Sequence, residues 1–127
     1  AAAWSMPLPV AYADFLRRFD GANVSGASRI EIWSTSDAVE IGREGNRPLK
    51  SKPGARFLSI GTDGGDQELV IDLDNWSGRG ACSVLFVSQG APDFITFVAG
   101  GFAAAIDRVI RGPKLSFGED RIERAPP

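Results

Sequence analysis

No histidine occurs anywhere in the 127 residues, and cysteine, methionine and tyrosine appear once each. Without histidine the chain lacks the commonest general base at neutral pH, every Ser-His-Asp or Cys-His nucleophile, and the usual zinc ligand. A single cysteine, Cys82, rules out an internal disulfide and a thiolate metal cluster. It lies in an apolar run, where a thiol packs as a small hydrophobe, which suits a reducing compartment. No window approaches the roughly 20 apolar residues of a membrane-spanning helix. The opening Ala-Ala-Ala-Trp-Ser-Met-Pro has neither the basic region nor the long apolar stretch of a signal peptide. It reads as a trimmed start, with an earlier helix expected to be missing. A cytoplasmic protein with no membrane partner is therefore expected. Charge of one sign is also scarce: 14 basic against 16 acidic residues leave a net charge of −2, which argues against a general nucleic-acid binder. Two glycosylation tripeptides, Asn23-Val24-Ser25 and Asn75-Trp76-Ser77, are taken as chance matches.

What is present fits one ordinary globular domain spanning residues 1–127, with 43% apolar and 24% charged residues and enough length to hold a core without staples. Its centre is the stretch 56–73. Two apolar runs, 57–60 and 69–73, flank Gly61-Thr62-Asp63-Gly64-Gly65-Asp66, the mark of two strands joined by a turn. This hairpin is expected in the middle of a sheet. Upstream, Tyr12, Phe15, Leu16 and Phe19 recur at helical spacing and predict a helix from about Val10 to Phe19, closed by Asp20-Gly21. A loop rich in Gly, Ser and Asn follows, then a strand over residues 29–33 and a short helix over 37–43. Residues 42–54, with two prolines and a cluster of basic side chains, predict a loop.

After the hairpin, 74–80 is a polar turn and 82–87 a continuous apolar run that fits a strand buried on both faces. Residues 94–98 are either an edge strand or the approach to the last helix. That helix is predicted over 101–111 with Phe102, Ile106, Val109 and Ile110 on its buried face, stopped by Gly112-Pro113. The charged tail 112–127 is expected to pack loosely or fray. The order of elements predicts an α+β fold: a mainly antiparallel sheet flanked by an N-terminal and a C-terminal helix.

Catalytic and cofactor motifs fail one by one. Gly61, Gly64 and Gly65 are followed neither by the Gly-Lys-Ser/Thr of a P-loop nor by the helix of a dinucleotide fingerprint. Asp72-Leu73-Asp74-Asn75 begins like a calcium loop, but Trp76 and Ser77 stand where a ligand and a glycine belong. No cofactor, metal or catalytic residue is assigned, and the chain is read as a non-enzyme. One pattern remains. Asp63, Asp66, Glu68, Asp72 and Asp74 follow one another with no basic residue among them, while the loop before them holds Arg43, Arg47, Lys50, Lys52 and Arg56. These blocks pair internally, or the acidic one faces out and attracts a basic partner. Trp33 and Trp76 are candidate anchors if exposed, and core or edge packing otherwise. These seven residues are the candidate partner-binding set.

The stretches together resemble the SMI1/KNR4 family, also called the SUKH superfamily. Leu8-Pro9-Val10-Ala11-Tyr12-Ala13-Asp14-Phe15-Leu16 matches the family's Leu-Pro-x-x-Tyr-x-x-Phe-Leu without a gap, and Asp20-Gly21 its following turn. Phe57-Leu58-Ser59-Ile60-Gly61-Thr62-Asp63-Gly64-Gly65 matches Phe-x-x-Ile-Gly-x-Asp-Gly-Gly, and Phe102 with Ile106 fits the closing helix. The likeness covers roughly 8–111. Asp66 stands where the family often has a third glycine. The resemblance implies a single α+β domain and binding without chemistry. Many bacterial members look like immunity proteins that neutralise a toxin, often a nuclease or deaminase, while fungal relatives regulate cell-wall synthesis. A cognate toxin is thus the partner expected, with a regulatory or scaffolding module acting on a host protein as the alternative.

Overall fold

The computed structural model describes residues 9–36, 57–90, 94–115 and 121–122. The first helix, α1 (Val10–Phe19), starts behind Pro9, whose carbonyl accepts the Ala13 N–H at 2.9 Å. Proline suits this position because its fixed φ is already helical and its missing N–H would find no partner there. Arg17 and Arg18 lie in the last turn, where the helix dipole favours cations. Asp20, left-handed at φ 43°, ends the helix by donating its N–H to the Leu16 carbonyl.

The chain then makes strands β1 (Ala22–Ser25), β2 (Arg29–Ile32), β3 (Phe57–Thr62), β4 (Gln67–Asp72), β5 (Ser83–Ser88) and β6 (Ile95–Ala99), and a second helix, α2 (Phe102–Arg111). The six strands form one antiparallel sheet in chain order, so each pairs with its sequence neighbour. The expected hairpin is β3–β4, third and fourth of six, with Gly64 at φ +89° in its turn. Positive φ is open to glycine at little steric cost. The loop expected after α1 is instead β1, paired to β2 from Ala22↔Ile32 to Ser25↔Arg29. Its Asn, Ser and Gly content masked a four-residue edge strand, because only Val24 is buried and no alternation of useful length exists. Residues 94–98 resolve as the other edge, β6. The short helix predicted over 37–43 and the basic loop lie outside the described residues.

Alternation along the strands makes both sheet faces apolar. Leu69 and Ile71 of β4, with Val84 and Phe86 of β5, pack under the helices with Tyr12, Leu16, Phe102, Ala105 and Val109. Their neighbours Val70, Leu85 and Val87 join Trp76, Ile95 and Ile122 in a cluster on the opposite face. This is why β5 has no exposed position, matching the apolar run from Val84 to Val87 at its centre. Phe102 meets the rings of Tyr12 and Phe15 edge-on, at 5.4 and 5.1 Å, which joins the two helices. Burial pushes the Tyr12 hydroxyl far above its ordinary pKa, with the Asp20 charge adding to the effect.

Two features of the helices depart from their sequence pattern. Ala105 rather than Ile110 completes the buried face of α2, and Ile110 is 51% exposed. Phe19, predicted on the buried stripe of α1, is 61% exposed and leans on Phe15 instead. The stripe outruns the sheet beneath it. In the tail, Leu115 and Ile122 are both buried, so the chain is packed at these points rather than frayed.

Candidate protein-binding site

The acidic residues adjacent in sequence are not one surface. β4 runs through the middle of them, and its side chains alternate between faces and ends. Asp63 and Asp66 lie in the β3–β4 turn, whereas Asp72 and Asp74 lie at the far end of β4, about 17 Å away at the usual strand rise. Glu68 and Asp72 are 0% exposed. Glu68 sits on the sheet face opposite the helices, where its Oε2 accepts the Ser59 hydroxyl at 2.6 Å and its Oε1 the Gln89 amide at 3.3 Å.

Asp72 has a structural task. Its Oδ1 and Oδ2 accept the successive backbone N–H groups of Trp76 and Ser77, at 2.9 and 2.8 Å, and its carbonyl accepts Cys82 N–H. The carboxylate thereby folds residues 73–77 back over the sheet and lays Trp76 edge-on against Phe57, 5.8 Å between centroids. The stretch that began like a calcium loop is closed by the protein's own amides. Trp33 and Trp76 are both buried, so the condition under which they would anchor a partner, exposure, is not met. Asp74, half-buried, remains at the surface of that loop.

The other end of the sheet keeps its charge outside. Asp63 Oδ1 accepts the N–H groups of Gly65 and Gln67, shaping the turn. Asp66 ties that turn to the loop after β5: it accepts the Ser88 hydroxyl, and the Gly90 N–H at 2.9 Å. Glu31 of β2, missed in the sequence because it lies 32 residues upstream of Asp63, lines a hollow of about 370 Å³ with Asp63, Arg29 and Asn23. Register pairs Glu31 with Thr62, which places it beside the turn. Three carboxylates, Glu31, Asp63 and Asp66, thus mark one end of the sheet.

A second surface was not foreseen. Between α1 and α2 runs an open groove of about 630 Å³, floored by Phe15, Phe102 and Ile106 and rimmed by Phe19, Arg18 and the Asp14–Arg17 ion pair. Aromatics at helical spacing carry the same signal whether they face the core or a groove. Among the described residues, no group of three or more His, Cys, Asp or Glu side chains converges to hold a metal, and no helix is long and apolar enough to cross a membrane.

The arrangement is that of a six-stranded sheet with carboxylates at its ends. The profile of the SMI1 / KNR4 family (SUKH-1) matches residues 1–108, most of the chain. The chain belongs to the SMI1/KNR4 family. Comparison with curated proteins and with solved structures produced no match. SMI1/KNR4 domains are generally protein-binding and non-catalytic, and the α+β sheet-and-helix architecture described above is consistent with theirs. The family motif residues have visible work in this fold. Tyr12 and Leu16 fill the helix–sheet core, and Gly61 lets β3 approach β2: a Cβ there would lie 2.1 Å from the Glu31 carbonyl oxygen.

Proposed function

We propose that this SMI1/KNR4 domain is an immunity protein, one that binds a cognate bacterial toxin of the nuclease or deaminase class in the cytoplasm and blocks it sterically. Membership of a protein-binding family is the observation that carries this reading. The acidic end of the sheet supports it. Glu31 on strand β2 shares a hollow with Asp63 and Arg29, and Asp63 and Asp66 sit in a turn tied by backbone hydrogen bonds, so these carboxylates meet a basic surface with little ordering cost. A nuclease groove is basic because it holds phosphates, and carboxylates in a fixed array compete for the same cations. Asp74 adds a separate contact at the other end, while Glu68, Asp72 and Trp76 hold the loops in shape behind the surface. Trp33 belongs to this supporting set as well.

Co-expression with the toxin encoded beside the gene tests the reading. Cells carrying both genes are expected to survive, and the two proteins to co-purify as a stoichiometric complex. Death of the co-expressing cells, with both proteins present and folded, would overturn it.

A further inference from the structure

Apolar exposure in this fold is concentrated in the helix layer. Among the described residues the large apolar side chains left exposed are Val10, Phe19 and Ile110, and all three belong to α1 or α2. The opposite face of the sheet is packed instead, with Trp76 and Ile122 joining Val70 and Leu85. Apolar surface gathered on one side of a protein marks an interaction site. Phe19 borders the open groove of about 630 Å³ between the two helices.

The groove follows from which residues the helices turn towards each other. Phe102 meets Tyr12 and Phe15 edge-on and joins the helices there, whereas Ala11 and Ala103 line the groove with methyl groups that leave it open. Each helix has ten residues, about 15 Å at the usual rise, so the groove has room for about three turns of a third helix laid alongside. Phe15, Phe102 and Ile106 offer that helix an apolar floor, the surface on which side chains at i, i+3, i+4 and i+7 dock.

Charge on this layer decides what kind of helix fits. Asp14 is engaged by Arg17, and on α2 Asp107 by Arg111 at 3.1 Å. Arg18 also lines the groove and has no carboxylate partner among the described residues. The charge left for a ligand to neutralise is therefore positive. A second copy of this chain brings another Arg18 and an Asp14 already engaged, so it supplies no free anion. A helix with an acidic side chain beside its apolar stripe supplies one.

We infer that the groove between α1 and α2 is a docking site for an amphipathic helix of a partner protein, acidic at the edge that meets Arg18. This surface is opposite in charge to the acidic end of the sheet. The inference goes beyond the immunity reading and does not rest on it, since its test involves no toxin.

The probe is a phage-displayed library of helical peptides about 16 residues long, just above the length at which an isolated helix is marginal. Leucine is fixed at i, i+4 and i+7, the flanking positions are randomised, and selection is against the full chain. Asp or Glu is expected to be enriched at the flanking positions, and the resynthesised peptides to bind one to one in calorimetry. Phe19→Ser is expected to weaken them about tenfold or more, the loss of an aromatic anchor. Ala103→Gln, which fills the groove from the α2 side, is expected to do the same and replaces Phe19→Ser if that variant does not fold. Selection repeated against Arg18→Glu is expected to enrich Lys or Arg where the wild type enriched acids. Failure to enrich any flanking residue overturns the proposal, as does enrichment with no preference for acids. So does binding indifferent to Phe19→Ser and Ala103→Gln. A wild type that dimerises without peptide and becomes monomeric on Phe19→Ser would make the occupant a second copy, and overturns it too.

Discussion

At the residue scale, carboxylates in this chain divide by what their oxygens face. Asp72 is buried and satisfied by two adjacent backbone amides. Asp72→Ala strips both donors of their acceptor, and a buried unpaired N–H costs about 1–3 kcal/mol. The variant is expected to lose about 2 kcal/mol or more in denaturant unfolding, with a changed Trp76 fluorescence. Stability equal to wild type would show that water takes over both amides. Asp20 illustrates a different use of the same group. Its carboxyl is held below the usual carboxylate range, first by the Thr35 backbone N–H at 2.7 Å and then by the Thr35 side chain. The folded state therefore binds this proton less readily than the unfolded state. The stability it contributes is present above the unfolded carboxylate pKa and is lost as pH falls through the lower folded value. Asp20→Asn removes that dependence, so its Tm is expected to fall less steeply than that of wild type as pH drops below about 4. Parallel acid profiles would remove Asp20 from the account.

At the element scale, the sheet depends on how closely backbones approach. β2 and β3 share the register Glu31↔Thr62 and Ile32↔Gly61, with Trp33 N–H bonded to the Ile60 carbonyl next to a bulge at residue 60. A methyl group at Gly61 would sit 2.1 Å from the Glu31 carbonyl oxygen, so one strand must move. Gly61→Ala is expected to cost about 1–3 kcal/mol, the usual range for overpacking, with faster hydrogen exchange localised to β2. Full stability would mean the bulge absorbs the methyl group. These elements were unevenly legible beforehand. α1, the β3–β4 hairpin, β5 and α2 were readable because periodicity and turn residues agreed along each of them. β1 was not, because a four-residue edge strand with one buried side chain carries almost no pattern. Nor was the fate of Phe19 and Ile110, since helical spacing says which residues share a face and not how far the partner surface extends. Ile122, isolated in a charged tail, gave no sign that it fills a slot across the sheet.

At the scale of the molecule, the candidate surface was half legible. The acidic run was visible, but its division by β4 into two ends, with Glu68 and Asp72 turned inward, follows from strand alternation and from the loop that Asp72 closes. Glu31 joins the site only through the pairing of β2 with β3. Charges that guide encounter are expected to act on association more than on dissociation. The triple variant Glu31→Gln, Asp63→Asn, Asp66→Asn keeps a polar acceptor at each position while removing three charges. It is expected to slow association with the toxin several-fold at low salt and to flatten the salt dependence. Unchanged rates would move the contact elsewhere, with the groove between α1 and α2 next in line, and leave immunity standing.

The claim beneath all of this is that the protein acts by occupying a surface and not by transforming a substrate. Titrating a fixed amount of the toxin with purified protein, and reading the toxin's own activity, tests that claim most directly. The account predicts a decline to zero at one equivalent, independent of incubation time once binding is complete. Silencing at a small fraction of an equivalent, deepening with time, would reveal turnover and contradict it, as would full toxin activity in excess protein.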